Sequence, residues 1–295
     1  MIFENYYLYR FAYWAINLAP RGLVYFIAGL LAELNFMVNG VARRGVYANQ
    51  ARVLPEDASG FQRWRMARSA FRHFAYAIVD FFYIPNVTPE NMHEYIAEIR
   101  GREYLDAALR AGHGSIIVTV HMGSWELAGA SMGMLGVPIT VVALPHKDPR
   151  VDELFSKTRA EGDIEVVPVG GAMTKLLAAL KRNRVIALVS DRDVKGTGPR
   201  LPFFGQLTHM PIGHAKLALK TGAWIIPSST YRVDDHRIVL DIEPPIVPDP
   251  HTDTVESLAH RALASLENMI RRHPDQWLSF FNLWSETKRP VHSEQ

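Results

Sequence analysis

After about residue 94, short β-branched runs alternate with helical stretches, and this alternation leaves the chain few folds to adopt. Strand-like segments at 115–120, 139–144, 164–167 and 185–189 are each followed by helix-like segments, at 127–135, 151–160, 173–181 and 214–220. Two further strands are expected at 224–231 and 237–242, joined through an Asp234-Asp235 turn, and a last helix at 253–272. Parallel strands need crossover connections, and helices in that role cover both sheet faces. The expected fold class is therefore α/β, with a largely parallel central sheet flanked by helices. Ligands of such sheets bind beyond the carboxyl ends of the strands.

Residues 1–85 read as helices alone. Apolar positions at Met66, Ala70, Phe71, Phe74, Ala77, Ile78 and Phe81 recur at helical spacing and predict a helix over 60–83, stopped before Pro85. The expected organisation is a helical membrane-associating region at 1–85 and an α/β domain at 86–295, built as one continuous unit. Residues 11–42 are apolar but interrupted by Pro20, Arg21, Glu33 and Asn39. The charge-free piece 22–32 is too short to span hydrocarbon. An anchor lying in the membrane interface is expected instead, with Tyr6, Tyr7, Tyr9, Phe11, Tyr13 and Trp14 at headgroup level. Residues 127–146 also lack charge, but Gly129, Gly133, Gly136 and Pro138 divide them into a buried helix and strand.

The net charge of +2 hides an uneven distribution. Arg43, Arg44, Arg52, Arg63, Arg65, Arg68 and Arg72 face only Glu56 and Asp57 between residues 40 and 75. Such a run is either a solvated helix face or an attractor of polyanions, and its place behind an aromatic N-terminus points to an anionic membrane surface. No nucleic-acid module accompanies it. The chain has no cysteine, which excludes a thiol nucleophile and a cysteine-built zinc site. The sequence also lacks G-x-S-x-G, G-x-G-x-x-G and a Walker A loop.

His121 stands where the 115–120 strand ends. Met122-Gly123-Ser124 makes a turn, and Trp125-Glu126 opens the next helix. A turn of this kind is expected to bring the Glu126 carboxylate back to imidazole Nδ1–H, which fixes the tautomer and leaves Nε2 to accept a proton. A satisfied structural histidine is the competing reading, and spacing alone does not choose between them. Asp191-Arg192-Asp193 follows the 185–189 strand and reads as a salt-bridged loop, as a phosphate-reading Arg192 oriented by its acids, or as a cation site completed by His209 or His214. Pro202-Phe203-Phe204-Gly205 reads as core packing or as the edge of an acyl groove.

The segment His121-Met122-Gly123-Ser124-Trp125-Glu126 resembles the His-x4-Asp/Glu signature of the lysophospholipid acyltransferase superfamily. More narrowly it is similar to the bacterial lipid A late acyltransferases and their relatives that acylate phosphatidylinositol mannosides. The likeness continues, in order, through Arg159, Asp191-Arg192-Asp193, Pro202-Phe203-Phe204-Gly205, Gly222-Ala223-Trp224-Ile225-Ile226-Pro227 and His273-Pro274-Asp275-Gln276-Trp277. The closing motif departs from the family, because Leu278-Ser279-Phe280 follows where a basic, aromatic continuation is usual.

The resemblance implies transfer of a fatty acyl chain from acyl-CoA or acyl carrier protein to a hydroxyl of a membrane glycolipid such as a lipid A precursor. A phosphatidylinositol mannoside or a lysophospholipid is the alternative acceptor, and a non-catalytic lipid-binding protein the alternative of another class. It implies His121 as general base and Glu126 as its partner. Arg159, Asp191, Arg192, Asp193, Ser124, Trp125 and Phe204 are implied to bind substrate, with no metal and no redox cofactor. The expected location is the cytoplasmic face of the bacterial inner membrane, as a peripheral or monotopic protein.

Overall fold

The computed structural model describes residues 6–161, 164–169, 171–193 and 196–285. The first five residues of the apolar N-terminus lie outside them. Four helices open the chain: α1 (Tyr6–Leu18), α2 (Arg21–Val38), α3 (Gly40–Val53) and α4 (Gly60–Tyr83). The bounds of α4 have local causes. Ser59 and Gln62 form a capping box at its start, and Pro85 lies just past its end. Asn39 caps α3 through a bond from the Ala42 amide to its Oδ1.

Among the described residues nine strands and six α-helices follow, in the order β1 (Ile96–Arg100), α5 (Arg102–Ala111), β2 (Ser115–Thr119), α6 (Trp125–Met134), β3 (Ile139–Ala143), α7 (Pro149–Glu161), β4 (Glu165–Pro168), α8 (Ala172–Lys181), β5 (Val185–Val189), β6 (Arg200–Phe203), β7 (Gln206–His209), α9 (Gly213–Thr221), β8 (Trp224–Arg232), β9 (Ile238–Ile242) and α10 (Val255–Arg272). Seven strands form one sheet in the order β1-β9-β8-β2-β5-β3-β4, and only the β8–β9 pairing is antiparallel. Strands β6 and β7 form a separate hairpin.

Alternation along the strands sends side chains to two cores. Val185 and Ile226 join the layer built with α1, α2, α4, α5 and α6, while their neighbours Ile186 and Ile225 join the layer under α8, α9 and α10. Both faces are thus covered, as the alternation of elements requires. The strands β1, β6 and β7 lack a clear sequence signal. Ile96-Ala97-Glu98-Ile99-Arg100 is an edge strand with charged residues, and the hairpin strands are four residues long and include Pro202.

The N-terminal helices share their core with the sheet: Tyr25 and Phe82 pack in the same cluster as Ile139 and Ile238. A buried polar link adds to this, in which Asp80 of α4 accepts from Tyr25 of α2 and from Arg232 of β8. On its other side α2 is apolar and open, with Leu23, Phe26, Ile27, Leu30, Leu31 and Leu34 exposed. Helix α2 is long and apolar enough to cross a membrane. The sequence count stopped short at Glu33, but Arg68 and Arg72 both pair with that residue, at 2.6 and 2.8 Å. Those two arginines, and Arg43, which donates to the carbonyls of Phe36 and Met37 at 2.6 and 2.8 Å, therefore do not stand free as a cationic stripe.

Candidate active site

Two neighbouring strands assemble the site through their register. In the parallel pair β2–β5, Ser115 lies opposite Val185 and Thr119 opposite Val189. Carrying that offset two residues past the strand ends brings His121 beside Asp191. The Ser190 amide donates to the Thr119 carbonyl at 2.8 Å, which keeps the two chains together up to that point. The imidazole Nδ1 lies 2.7 Å from Asp191 Oδ1. Asp191 Oδ2 accepts from the indole Nε1 of Trp277 at 2.8 Å and from the His121 backbone amide at 3.3 Å. The carboxylate is completely buried, while the His121 side chain keeps 19% exposure. A carboxylate on Nδ1 assigns the neutral ring's proton to that nitrogen and leaves the Nε2 lone pair to act as a base.

Glu126, expected to orient His121, bonds another partner. Glu126 lies in the first turn of α6, and its carboxylate takes a two-pronged bond from Arg159 of α7, Nη2 to Oε1 at 2.7 Å and Nε to Oε2 at 3.0 Å. The planar guanidinium fork matches a carboxylate better than one ring nitrogen does. The turn also sets the geometry. Gly123 has φ +56°, and a Cβ there would fall 2.4 Å from the Thr230 carbonyl oxygen, so the chain passes too close to β8 for any other residue. The Thr230 hydroxyl donates to the Met122 carbonyl at 2.6 Å and pins the same turn. Glu126 still acts on His121, but through its charge and not through a bond.

Burial pushes the His121 imidazole below its ordinary value and the Arg192 guanidinium pushes in the same direction, against the opposing charges of Asp191 and Glu126. Burial alone would raise Asp191, but His121, Arg192 and the Trp277 bond outweigh it and hold the carboxyl far below its usual range. The ring is therefore a free base, and its partner an anion, at neutral pH. Burial would lower Arg159, but the Glu126 charge and hydrogen bonds outweigh it and raise its value, so the guanidinium keeps its proton.

The other expected residues divide into two groups. Trp125 meets the His121 ring edge-on at 5.1 Å, and Ser124 is buried at the start of α6 with no partner for its hydroxyl. Arg192 donates to the Leu278 carbonyl at 3.4 Å and lies over the Phe281 ring. These stand close to the imidazole in the chain or act on it. Asp193 instead accepts from the Gly198 amide at 2.6 Å, and Phe204 packs on Trp277 with ring centroids 5.9 Å apart while its amide donates to Glu267. His209 Nδ1 contacts the Gly198 carbonyl, and His214 is buried with both ring nitrogens unpartnered. Among the described residues no three His, Asp or Glu side chains converge as metal ligands.

Sequence reasoning gave Trp277 a place in a motif but no task. The structure puts its indole on the Asp191 carboxylate, 86 residues away in the chain. The signal was present only as a tryptophan just past the last helix, whose destination depends on how the tail returns across the sheet.

The sequence model of the family described as bacterial lipid A biosynthesis acyltransferase matches residues 2–286. A phosphatidylinositol mannoside acyltransferase of Mycobacterium tuberculosis is 37% identical over 134 residues, 44% of this chain and 42% of that protein. Its counterpart in Mycolicibacterium smegmatis is 36% identical over 42% of each. A lipid A biosynthesis acyltransferase of Haemophilus influenzae is 22% identical over 63% of this chain and 58% of that protein. The matches thus span about two-fifths to three-fifths of those relatives' lengths. The crystal structure of a 1-acyl-sn-glycerophosphate acyltransferase from Thermotoga maritima aligns over 86% of this chain and 99% of its own, with TM-score 0.40 and 14% identity.

Proposed function

The chain belongs to the bacterial lipid A biosynthesis acyltransferase family, and from that premise we propose that it transfers a fatty acyl group from a thioester to a hydroxyl of a membrane glycolipid, with His121 as general base and Asp191 as its orienting anion. The observation that carries this reading is the 2.7 Å contact of Nδ1 with buried Asp191 at the end of two central strands, which leaves Nε2 as the basic nitrogen.

In the proposed reaction Nε2 takes the proton of the acceptor hydroxyl as its oxygen bonds to the thioester carbonyl carbon. The carbonyl π electrons move to oxygen, and the backbone amides and positive end of α6, which begins four residues after His121, stabilise that charge. The intermediate collapses, the carbon–sulfur bond breaks, and the imidazolium returns its proton to the departing thiolate. Asp191 supports the imidazolium between these steps, and general-base help of this kind contributes about 10²–10⁴-fold. The Glu126–Arg159 pair holds α6 against α7, and Glu126 acts on the imidazole only through its charge. The mechanism calls on no metal and no redox cofactor.

The donor is acyl-CoA or an acyl carrier protein. The acceptor is a phosphatidylinositol mannoside, the lipid in the name of the mycobacterial relatives, or a lipid A precursor, in keeping with the relative named for lipid A biosynthesis. The open apolar side of α1 and α2, with Tyr7, Phe11, Trp14, Phe26, Leu30 and Leu31 exposed, suits a monotopic seat on the inner leaflet, where the lipid acceptor lies in the membrane and the donor arrives from water. Purified protein given a labelled acyl thioester with each acceptor in turn tests the reading. Labelled acyl-glycolipid is the expected product with one of them. Binding of both lipids with no transfer from either carrier would leave a lipid-binding protein in its place.

A further inference from the structure

We infer that Trp277 is a positioning residue for this site: its indole N–H holds the Asp191 carboxylate in the one orientation that presents Oδ1 to His121. The inference rests on the reading of His121 as the base. Asp191 has its Oδ1 on the imidazole and its Oδ2 on the Trp277 indole and the His121 amide. An indole donates and never accepts, so it fixes the carboxylate without offering it a second protonation pathway. The ring is itself immobile, 1% exposed and packed against Phe203 and Phe204.

The backbone around Trp277 acts on the same two residues. The Leu278 amide donates to the His121 carbonyl at 2.8 Å, and Met122 and Trp277 form an isolated antiparallel bridge. One short stretch of the tail therefore grips the backbone of the base and the side chain of its partner together. The stretch is itself anchored. Gln276 brackets Arg232, accepting from its amide at 2.7 Å and donating to its carbonyl at 3.0 Å. Asn49 of α3 donates to the carbonyls of Ser279 and Phe281 at 2.9 and 2.8 Å.

Trp277→Phe keeps an aromatic ring and removes the donor. A hydrogen bond to a buried charge sustains about a 10- to 100-fold effect, and kcat is expected to fall by about that factor with KM changed less than about threefold. The groups facing His121 are Asp191, Arg192, Glu126 and the Trp125 ring, and of these only Asp191 loses a bond. Its charge then concentrates on the imidazole, so the His121 titration, followed by NMR with ¹⁵N-labelled histidine, should move to higher pH than in the unmodified protein. A second variant carries β-(3-benzothienyl)alanine at position 277, which keeps the indole shape with sulfur in place of N–H. It guards against mere misfolding and should reproduce both effects.

A kcat within about threefold of the parent in a folded variant, or an unmoved His121 titration, would overturn the inference. His121→Gln separates the two claims. If that protein still transfers acyl groups, the base is misassigned, yet the NMR shift on removing the indole donor would stand by itself.

Discussion

Asp191 and Asp80 are both completely buried, and each accepts from one cation-forming side chain and one aromatic donor: His121 and Trp277 for Asp191, Arg232 and Tyr25 for Asp80. Both sit on the same scaffold, because Gln276 brackets the Arg232 backbone while the next residue holds Asp191. The difference lies in the partner. Arg232 is buried, and although burial works against its charge, Asp80 holds its value up, so no proton leaves it. His121 gives up its proton below the ordinary histidine range, and its ring retains partial exposure. Burial and pairing are thus common to a structural link and to the candidate site. What sets the site apart is a titratable partner with one nitrogen still open.

The comparison breaks first if His121 is dispensable. His121→Ala should cost about 10²–10⁴-fold in acyl transfer, with thermal stability close to that of the parent, and a radiolabel transfer assay reads it. Asp80→Asn should show the opposite pattern, because it leaves buried Arg232 uncompensated. The expected cost is about 3–5 kcal/mol in denaturant unfolding, with the turnover per folded molecule retained.

His214 sharpens the contrast as a buried base with no carboxylate at all. Burial pushes it down to about 4. Since the unfolded chain takes that proton at about 6.5, stability is full above this value and is lost as pH falls from there towards 4. The loss from this group is about 3 kcal/mol by linkage. His214→Leu should flatten that part of the stability–pH curve, which urea titration at a series of pH values measures.

The smallest effect concerns the exposed apolar face of α2. Each arginine near an anionic surface contributes about 1 kcal/mol, and Arg68 and Arg72 are already engaged by Glu33. High salt should therefore release only part of the protein from anionic vesicles. Leu30→Glu with Leu31→Glu on the exposed side of α2 should release most of the remainder. Complete release by salt alone would leave no part for the apolar face.

Much of this architecture could be read from residue order, because its signals are local. Helix α4 was delimited at 60–83 by helical spacing and Pro85, and β5 by its run of β-branched residues. The strands β1, β6 and β7 were not, since short strands interrupted by charge or proline carry little periodic signal. His121 was legible as the residue after a strand, and Asp191 as the residue near the end of another. Their pairing was not, because α6, β3, α7, β4 and α8 intervene in sequence between strands that are adjacent in the sheet. Proximity in the chain favoured Glu126, five residues on, whose carboxylate instead meets Arg159 across a helix pair. Trp277 was hidden for the same reason: its role depends on a contact between distant segments.

In the proposed mechanism Asp191, and not Glu126, orients the base. The direct measurement is kcat for Asp191→Asn and Glu126→Gln in the same transfer assay, each at saturating acceptor and checked for folding. Asp191→Asn is expected to lose about 10²–10⁴-fold with little change in KM, and Glu126→Gln roughly tenfold, in keeping with one long-range charge. A fully active Asp191→Asn beside an inactive, folded Glu126→Gln would contradict it and restore Glu126 as the partner of His121.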